Sequence, residues 1–215
     1  MAEKLGYEKD YHSFFHKHLL NDERYYMFRA KYADEFYWPY FYLDGGVMEF
    51  GVGLGQNISM NKDRAFGVDI SDFCARNCAE RGIRVIKDIN KVKSSSLSGV
   101  LCCHCLEHLE NPALYLKEFF RVLERGGRLV LLLPVEPNNV SKFRPSPTQH
   151  LFAWNFQTIG DLLTGVGFRV KVGKFNYATG FLRFYNLPFS VAVYFIKTLG
   201  MLTDTKELLV VAEKP

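Results

Sequence analysis

The apolar run Val47-Met48-Glu49-Phe50 ends in Gly51-Val52-Gly53-Leu54-Gly55, and few architectures accept a strand that delivers three glycines at alternate positions. Lacking a Cβ, glycine reaches positive φ without strain and lets a ligand lie against bare backbone. A short buried strand, a tight glycine turn and a following helix is the setting in which such a loop binds a nucleotide at the rim of a sheet. A purely structural turn would show the same trio, so the rest of the chain has to decide.

Beyond the glycines the pattern repeats as strand, then helix. Ala65 to Ile70 is an apolar strand containing Asp69, and Ser71 caps a helix that runs to Arg81 and stops at Gly82. Arg84 to Ile86 is the next strand, followed by Asp88 and the polar Ser94-Ser95-Ser96, and Val100 to Cys103 is a fourth. Asn111-Pro112 opens a helix that ends at Gly126-Gly127. Arg128 to Leu133, closed by Pro134, is apolar almost throughout, as befits a strand covered on both faces. Asn155 to Thr164 reads as helix, Gly167 to Phe175 as strand, and Leu208 to Ala212 as the last strand. This alternation predicts right-handed βαβ units, a mostly parallel sheet, and ligands in the crevice beyond the carboxyl ends of its strands.

A chain of 215 residues with 48% hydrophobic content can bury one sizeable core. Its net charge of +4 is spread out, and the longest basic cluster, Lys91-Val92-Lys93, argues against a nucleic-acid partner. Met1 to Asp10 is charged and no stretch approaches the ~20 apolar residues of a membrane span, so residence in the cytoplasm is expected. Cys74, Cys78, Cys102, Cys103 and Cys105 fall in segments read as helix and strand. They are expected to be reduced core thiols, and without paired C-x-x-C spacing no metal site is expected.

Two segments stand apart from the core pattern. Residues 1–43 are crowded with aromatics whose spacing fits one or two amphipathic helices ending near Trp38-Pro39, which suggests a helical cap on a domain spanning 44–215. An insertion at about 175–203 is too apolar for a solvated loop, and a lid packed on the core, a homodimer contact and a peripheral membrane contact are its three readings.

The spacing also discriminates between cofactors. A dinucleotide fingerprint counted from Gly51 and Gly53 wants a third glycine at position 56, where this chain has Gln56. That disfavours an NAD-dependent oxidoreductase. Glu49 would sit badly beside a pyrophosphate but can organise a loop around a cationic, amino-acid-bearing ligand. Asp69, eighteen positions beyond Gly51, can accept hydrogen bonds from both ribose hydroxyls, unless it only caps the next helix. Asp88 can accept from an adenine amino group.

Together, Glu49-Phe50-Gly51-Val52-Gly53-Leu54-Gly55, Gly67-Val68-Asp69-Ile70-Ser71, Leu106-Glu107-His108-Leu109 and Phe120-Arg121-Val122-Leu123 resemble the class I S-adenosylmethionine-dependent methyltransferases, especially those acting on small molecules. The resemblance spans about residues 46–175. It implies a Rossmann-like doubly wound α/β sheet of about seven strands, mostly parallel with an antiparallel last strand and helices on both faces. It also implies S-adenosyl-L-methionine as cofactor, bound by Glu49, Gly51, Gly53 and Gly55 of the loop at the methionine moiety, Asp69 at the ribose with Ile70 beside it, Asp88 and Ile89 at the adenine, and His104 near the sulfonium. Only eleven residues separate Gly55 from Gly67, short for the family's first helix. A catalytically silent scaffold of the same fold is the alternative to an enzyme.

Methyl transfer is an in-line displacement at carbon already activated by positive sulfur, so alignment and exclusion of water come first. A hydroxyl acceptor would also gain from a base, and His104, His108 and His150 fall at strand ends or the loops beyond. His104 is the preferred candidate. The segments Leu132 to Glu136 and His150 to Trp154 are similar to methyltransferases of cell-envelope sugar pathways, which makes a saccharide or lipid-linked saccharide the first expectation for the small-molecule acceptor.

Overall fold

The computed structural model describes residues 9–136 and 150–215. Its centre is a sheet of seven strands: β1 (Val47–Phe50), β2 (Ala65–Val68), β3 (Val85–Ile86), β4 (Leu97–Cys103), β5 (Leu123–Pro134), β6 (Arg169–Tyr177) and β7 (Lys206–Glu213). Their order across the sheet is β3-β2-β1-β4-β5-β7-β6. The pairs from β3 to β5 are parallel, while β7 runs antiparallel to both β5 and β6, with Leu131 opposite Val210. The chain moves outward from β1 to β3 and then returns to β4, so strand order reverses between β1 and β4. That reversal opens a crevice at their carboxyl ends, because the connections leave in opposite directions.

Eight helices are described: α1 (Lys9–Phe15), α2 (Lys17–Asn21), α3 (Glu23–Phe36), α4 (Asp72–Glu80), α5 (Pro112–Val122), α6 (Phe156–Val166), α7 (Phe181–Phe184) and α8 (Phe189–Leu202). Their starts follow from local chemistry. Ser71 accepts from the Cys74 amide, Asn111 from Leu114, and Asn155 forms a reciprocal box with Thr158, each satisfying a donor that the first helical turn leaves open. On one sheet face Leu116 and Phe119 of α5 and Ile159 and Leu163 of α6 bury Met48, Val100 and Leu131. On the other, Tyr32, Ala33 and Trp38 bury Val47, Leu101, Val130 and Leu132. The alternation of neighbours along β5 between the two clusters is the period-two signature of a strand covered on both sides.

The segment after the glycine turn departs from expectation. No helix follows it; successive turns lead to a single 3₁₀ turn at Ser59–Asn61. Polar side chains here bond away from the local backbone: Asn57 Nδ2 donates to Glu49 Oε1 at 2.6 Å, and Asn61 Nδ2 donates to Asp34 Oδ1 at 2.6 Å. Such residues stabilise turns in competition with helix, and eleven residues leave little length for both. The covering role passes to α3 and the turn after it, where Trp38 Nε1 donates to the Asn57 carbonyl at 2.7 Å. The amino-terminal aromatics thus form three helices and share one buried cluster with the sheet.

The apolar insertion becomes α7 and α8. Ala192 and Ile196 are buried against Phe28 of α3, while Tyr194 and Leu202, 65% and 80% exposed, point outward. Among the described residues no helix is long and apolar enough to cross a membrane.

Candidate active site

The glycine turn takes the shape its sequence requires. Gly51, Gly53 and Gly55 have φ of +72°, +53° and +79°. A Cβ at Gly51 would strike the Cys105 side chain, and one at Gly55 would meet Ile83 Cδ1 at 2.7 Å. The turn is tied to β2 from both sides: the Gly51 amide donates to the Val68 carbonyl at 2.8 Å, and the Gly53 amide donates to Asp69 Oδ2 at 2.9 Å. Asp69 Oδ1 accepts from the Ser71 amide at 2.9 Å. Each carboxylate oxygen has a second lone-pair direction, so Asp69 can hold the turn and still accept from a ligand.

Glu49 lies beneath this turn and is 1% exposed. Burial lifts its pKa to about 8; the hydrogen bond from Asn57 opposes that shift and the negative charge of Asp69 adds to it. Its Oε2 has no partner.

In front of the turn is a cleft of about 580 Å³, within the size range of small-molecule sites. Asp69, Ile70, Asp88 and Ile89 line one end, and Cys103, His104, Glu107, His108 and His150 the other. Asp88 accepts from the Asn90 amide at 2.9 Å and from its side chain, which holds the Asp88 carboxyl below its usual range. Helix α1 forms a roof, bringing Tyr11, His12 and His16 to the cleft. His12 Nε2 lies 2.9 Å from Cys74 Sγ, and His12 and His16 approach at 2.8 Å through their Nδ1 atoms. Burial, with the adjoining His12, Arg29 and His104, lowers the His16 pKa to about 4, so it is neutral at physiological pH.

At the far end, His104 follows β4 in the left-handed region, φ +49°, a conformation that costs a non-glycine residue roughly 1 kcal/mol or more. The strain points its ring across the cleft mouth, where Nε2 meets Glu207 Oε2 at 2.7 Å and Nδ1 lies 3.8 Å from Glu107 Oε1. Desolvation works to lower the His104 pKa, but the hydrogen bond and charge of Glu207, with Glu107, outweigh it and hold the pKa above the usual value. A second cavity of about 300 Å³ opens beside His104, lined by Arg29, Tyr37, Phe181 and Glu207. His104 and Arg29 therefore face both cavities.

Residues 48–131 match the methyltransferase domain family. That match, together with the fold, is consistent with a class I methyltransferase. An uncharacterized protein of Methanocaldococcus jannaschii is 35% identical over 91 residues, which make up 40% of this chain and 43% of that protein, so the match spans under half of either. A solved S-adenosylmethionine-dependent methyltransferase from Archaeoglobus fulgidus superimposes with a TM-score of 0.65 at 20% identity, covering 94% of this chain and 99% of that one. A chain from a complex with the Haloferax volcanii Trm112 methyltransferase activator gives 0.66 at 17% identity, with 96% of each chain covered. At such identities these structures establish the shared fold.

Gly51, Gly53, Asp69, Ile70, Asp88, Ile89, His104, His108 and His150 all line the first cleft. Glu49 and Gly55, expected at the cofactor, do not: Glu49 is turned beneath the loop to Asn57 and Gly55 packs against Ile83 and Cys78, so both shape the turn from behind. Thr148 and Gln149, which precede His150, lie outside the described residues. The cysteines do not gather into a ligand set: among the described residues the group able to hold an ion is Glu107, His108 and His150. Sequence reasoning missed Asn57, Arg29, Glu136 and Glu207. Asn57 could have been found, lying two positions beyond the last glycine of the turn. Glu207 could not, since it meets His104 across 103 positions.

Proposed function

We propose that the protein is an S-adenosylmethionine-dependent methyltransferase acting on a small hydroxylated molecule. The observation that carries this is the glycine turn whose Gly53 amide is held by the Asp69 carboxylate at the wall of a nucleoside-sized cleft. Bare backbone at Gly51 and Gly53 suits the amino-acid portion of the cofactor, Asp69 and Ile70 the ribose, and Asp88 with Ile89 the adenine. The bound cofactor supplies an electrophilic methyl group. Neutral His16 in the roof adds no positive charge to oppose a sulfonium, and Glu49, through Asn57, fixes the turn from behind.

The acceptor is assigned to the second cavity, beside His104. Tyr37 and Phe181 give that cavity apolar walls, and Arg29 brings a cation, a combination suited to a saccharide or lipid-linked saccharide that carries an anionic group. His104 is oriented by Glu207 as a base is by a carboxylate, and its raised pKa makes it a stronger proton acceptor on the alkaline side of its titration.

Calorimetry with S-adenosylmethionine and NAD side by side tests the cofactor, followed by screening hydroxylated acceptors for production of S-adenosylhomocysteine. Binding of the sulfonium nucleoside alone is expected. Binding of NAD, or of neither, refutes the assignment.

A further inference from the structure

Glu107 occupies the 3₁₀ turn Leu106–His108 beyond β4, fully buried, and neither carboxylate oxygen has a hydrogen-bond partner. A polar group left in that condition costs on the order of several kcal/mol unless something supplies the missing interaction. Its nearest imidazole nitrogens, His104 Nδ1 at 3.8 Å and His108 Nε2 at 3.9 Å, stand beyond hydrogen-bond reach.

The surroundings are built rather than accidental. One ligand atom from each of Glu107, His108 and His150 falls within 4.8 Å of the others. The Leu151 and Phe152 amides both donate to the Glu107 carbonyl, at 2.8 and 3.3 Å, which pins the segment carrying His150 against the turn carrying Glu107 and His108. Glu136 bonds His150 at Nδ1, leaving Nε2 as its ligating atom. A carboxylate behind a histidine in this way orients the ring and raises its basicity toward a metal.

We propose that Glu107, His108 and His150 bind one first-row divalent ion of borderline softness, of which zinc is the type, with Glu136 as the positioning residue behind His150. Magnesium and calcium prefer shells of oxygen, and the soft ions prefer thiolate; two imidazoles and one carboxylate with coordination positions left open suit the ions between. Ligands of a tetrahedral zinc stand roughly 3.3 Å apart, so small side-chain rotations would close the cluster.

All three residues line the first cleft next to His104, which also faces the second cavity, so an open position on the ion would receive an acceptor hydroxyl that reaches past His104 from that cavity. Coordination acidifies that hydroxyl. Its proton would pass to His104, the oxygen lone pair would form the bond to the methyl carbon, and the carbon–sulfur bond would break with its electron pair passing to sulfur. This role for the ion rests on the methyltransferase reading, whereas its binding does not.

The test uses untagged protein, stripped with a chelator and titrated with Co(II) by calorimetry and visible absorption. Expected are one equivalent bound, ligand-field bands without the charge-transfer band of a thiolate ligand, and no competition from Mg(II). Glu107→Gln and His150→Ala should each weaken binding at least tenfold, and Glu136→Gln roughly tenfold, with circular dichroism confirming that each variant is folded. Absence of stoichiometric binding, a thiolate band, or equal affinity in Glu107→Gln and His150→Ala overturns the proposal. Parallel titration with S-adenosylhomocysteine separates the two readings: nucleoside binding without Co(II) binding sinks the metal site alone, and the reverse sinks the cofactor.

Discussion

Replacing Glu49 with Gln converts the burial under the glycine turn into a measurable pH dependence. The free carboxyl has a pKa of 4.5 and the folded one about 8, a difference of about 3.5 units, raised mainly by burial. At about 1.4 kcal/mol per unit, folding disfavours the ionised form by roughly 5 kcal/mol. The folded value is the higher one, so this contribution is fully present below pH 4.5, declines as pH rises, and is gone above about pH 8. Gln keeps an acceptor for Asn57 Nδ2 and carries no charge to desolvate. Urea-denaturation midpoints taken without ligand from pH 5 to pH 9 should therefore run together at the acid end. At pH 9 the variant should be more stable by several kcal/mol. The other titrating groups are common to both proteins, so the difference reports Glu49 together with its charge coupling to Asp69. Parallel profiles across the range would refute the reasoning, because they would mean that Glu49 ionises in the folded protein as easily as in the unfolded chain.

Asp69→Ala removes the acceptor for the Gly53 and Ser71 amides, and hydrogen bonds to a charged group are worth about 1.5–3 kcal/mol, so calorimetry should show S-adenosylhomocysteine affinity falling on the order of 10- to 100-fold; unchanged affinity counts against the site. Gly67→Ala adds a Cβ that would run into the Val52 side chain from within β2, and overpacking of this kind costs about 1–3 kcal/mol. Its thermal midpoint and its nucleoside affinity should drop together, since Val52 belongs to the cleft wall, and a midpoint equal to the parent's would show that the turn yields freely. Ile196→Ala empties a fully buried position between α8 and α3 at about 2–5 kcal/mol; an unaltered denaturation midpoint would mean that the apolar insertion is not docked as described.

Much of the sheet is legible because its punctuation is local. Ser71, Asn111 and Asn155 mark helix starts by their own side chains, and the apolar run before Pro134 declares a strand buried on both faces. Glycine spacing likewise locates the turn and, with Asp69, one half of the cleft. The other half depends on distant meetings. Glu207 reaches His104 only because β7 enters antiparallel between β5 and β6, in a register that sets Glu207 opposite Pro134, and no short-range pattern encodes a register. The absent helix after Gly55 was misread for the opposite reason: its sequence position suggested helix, while Asn57 and Asn61 had partners in Glu49 and Asp34 that local reading does not see. The grouping of Glu107 and His108 with His150 likewise arises only in the fold, which brings distant segments together.

Helix α1 is described over Lys9–Phe15, and a stretch of that length takes its order from what it packs on. What keeps it folded is the floor it covers, through His12 against Cys74 and the ring of Phe73. A guest filling the chamber would add contacts to that roof, so the order of α1 and the occupancy of the cleft would rise together.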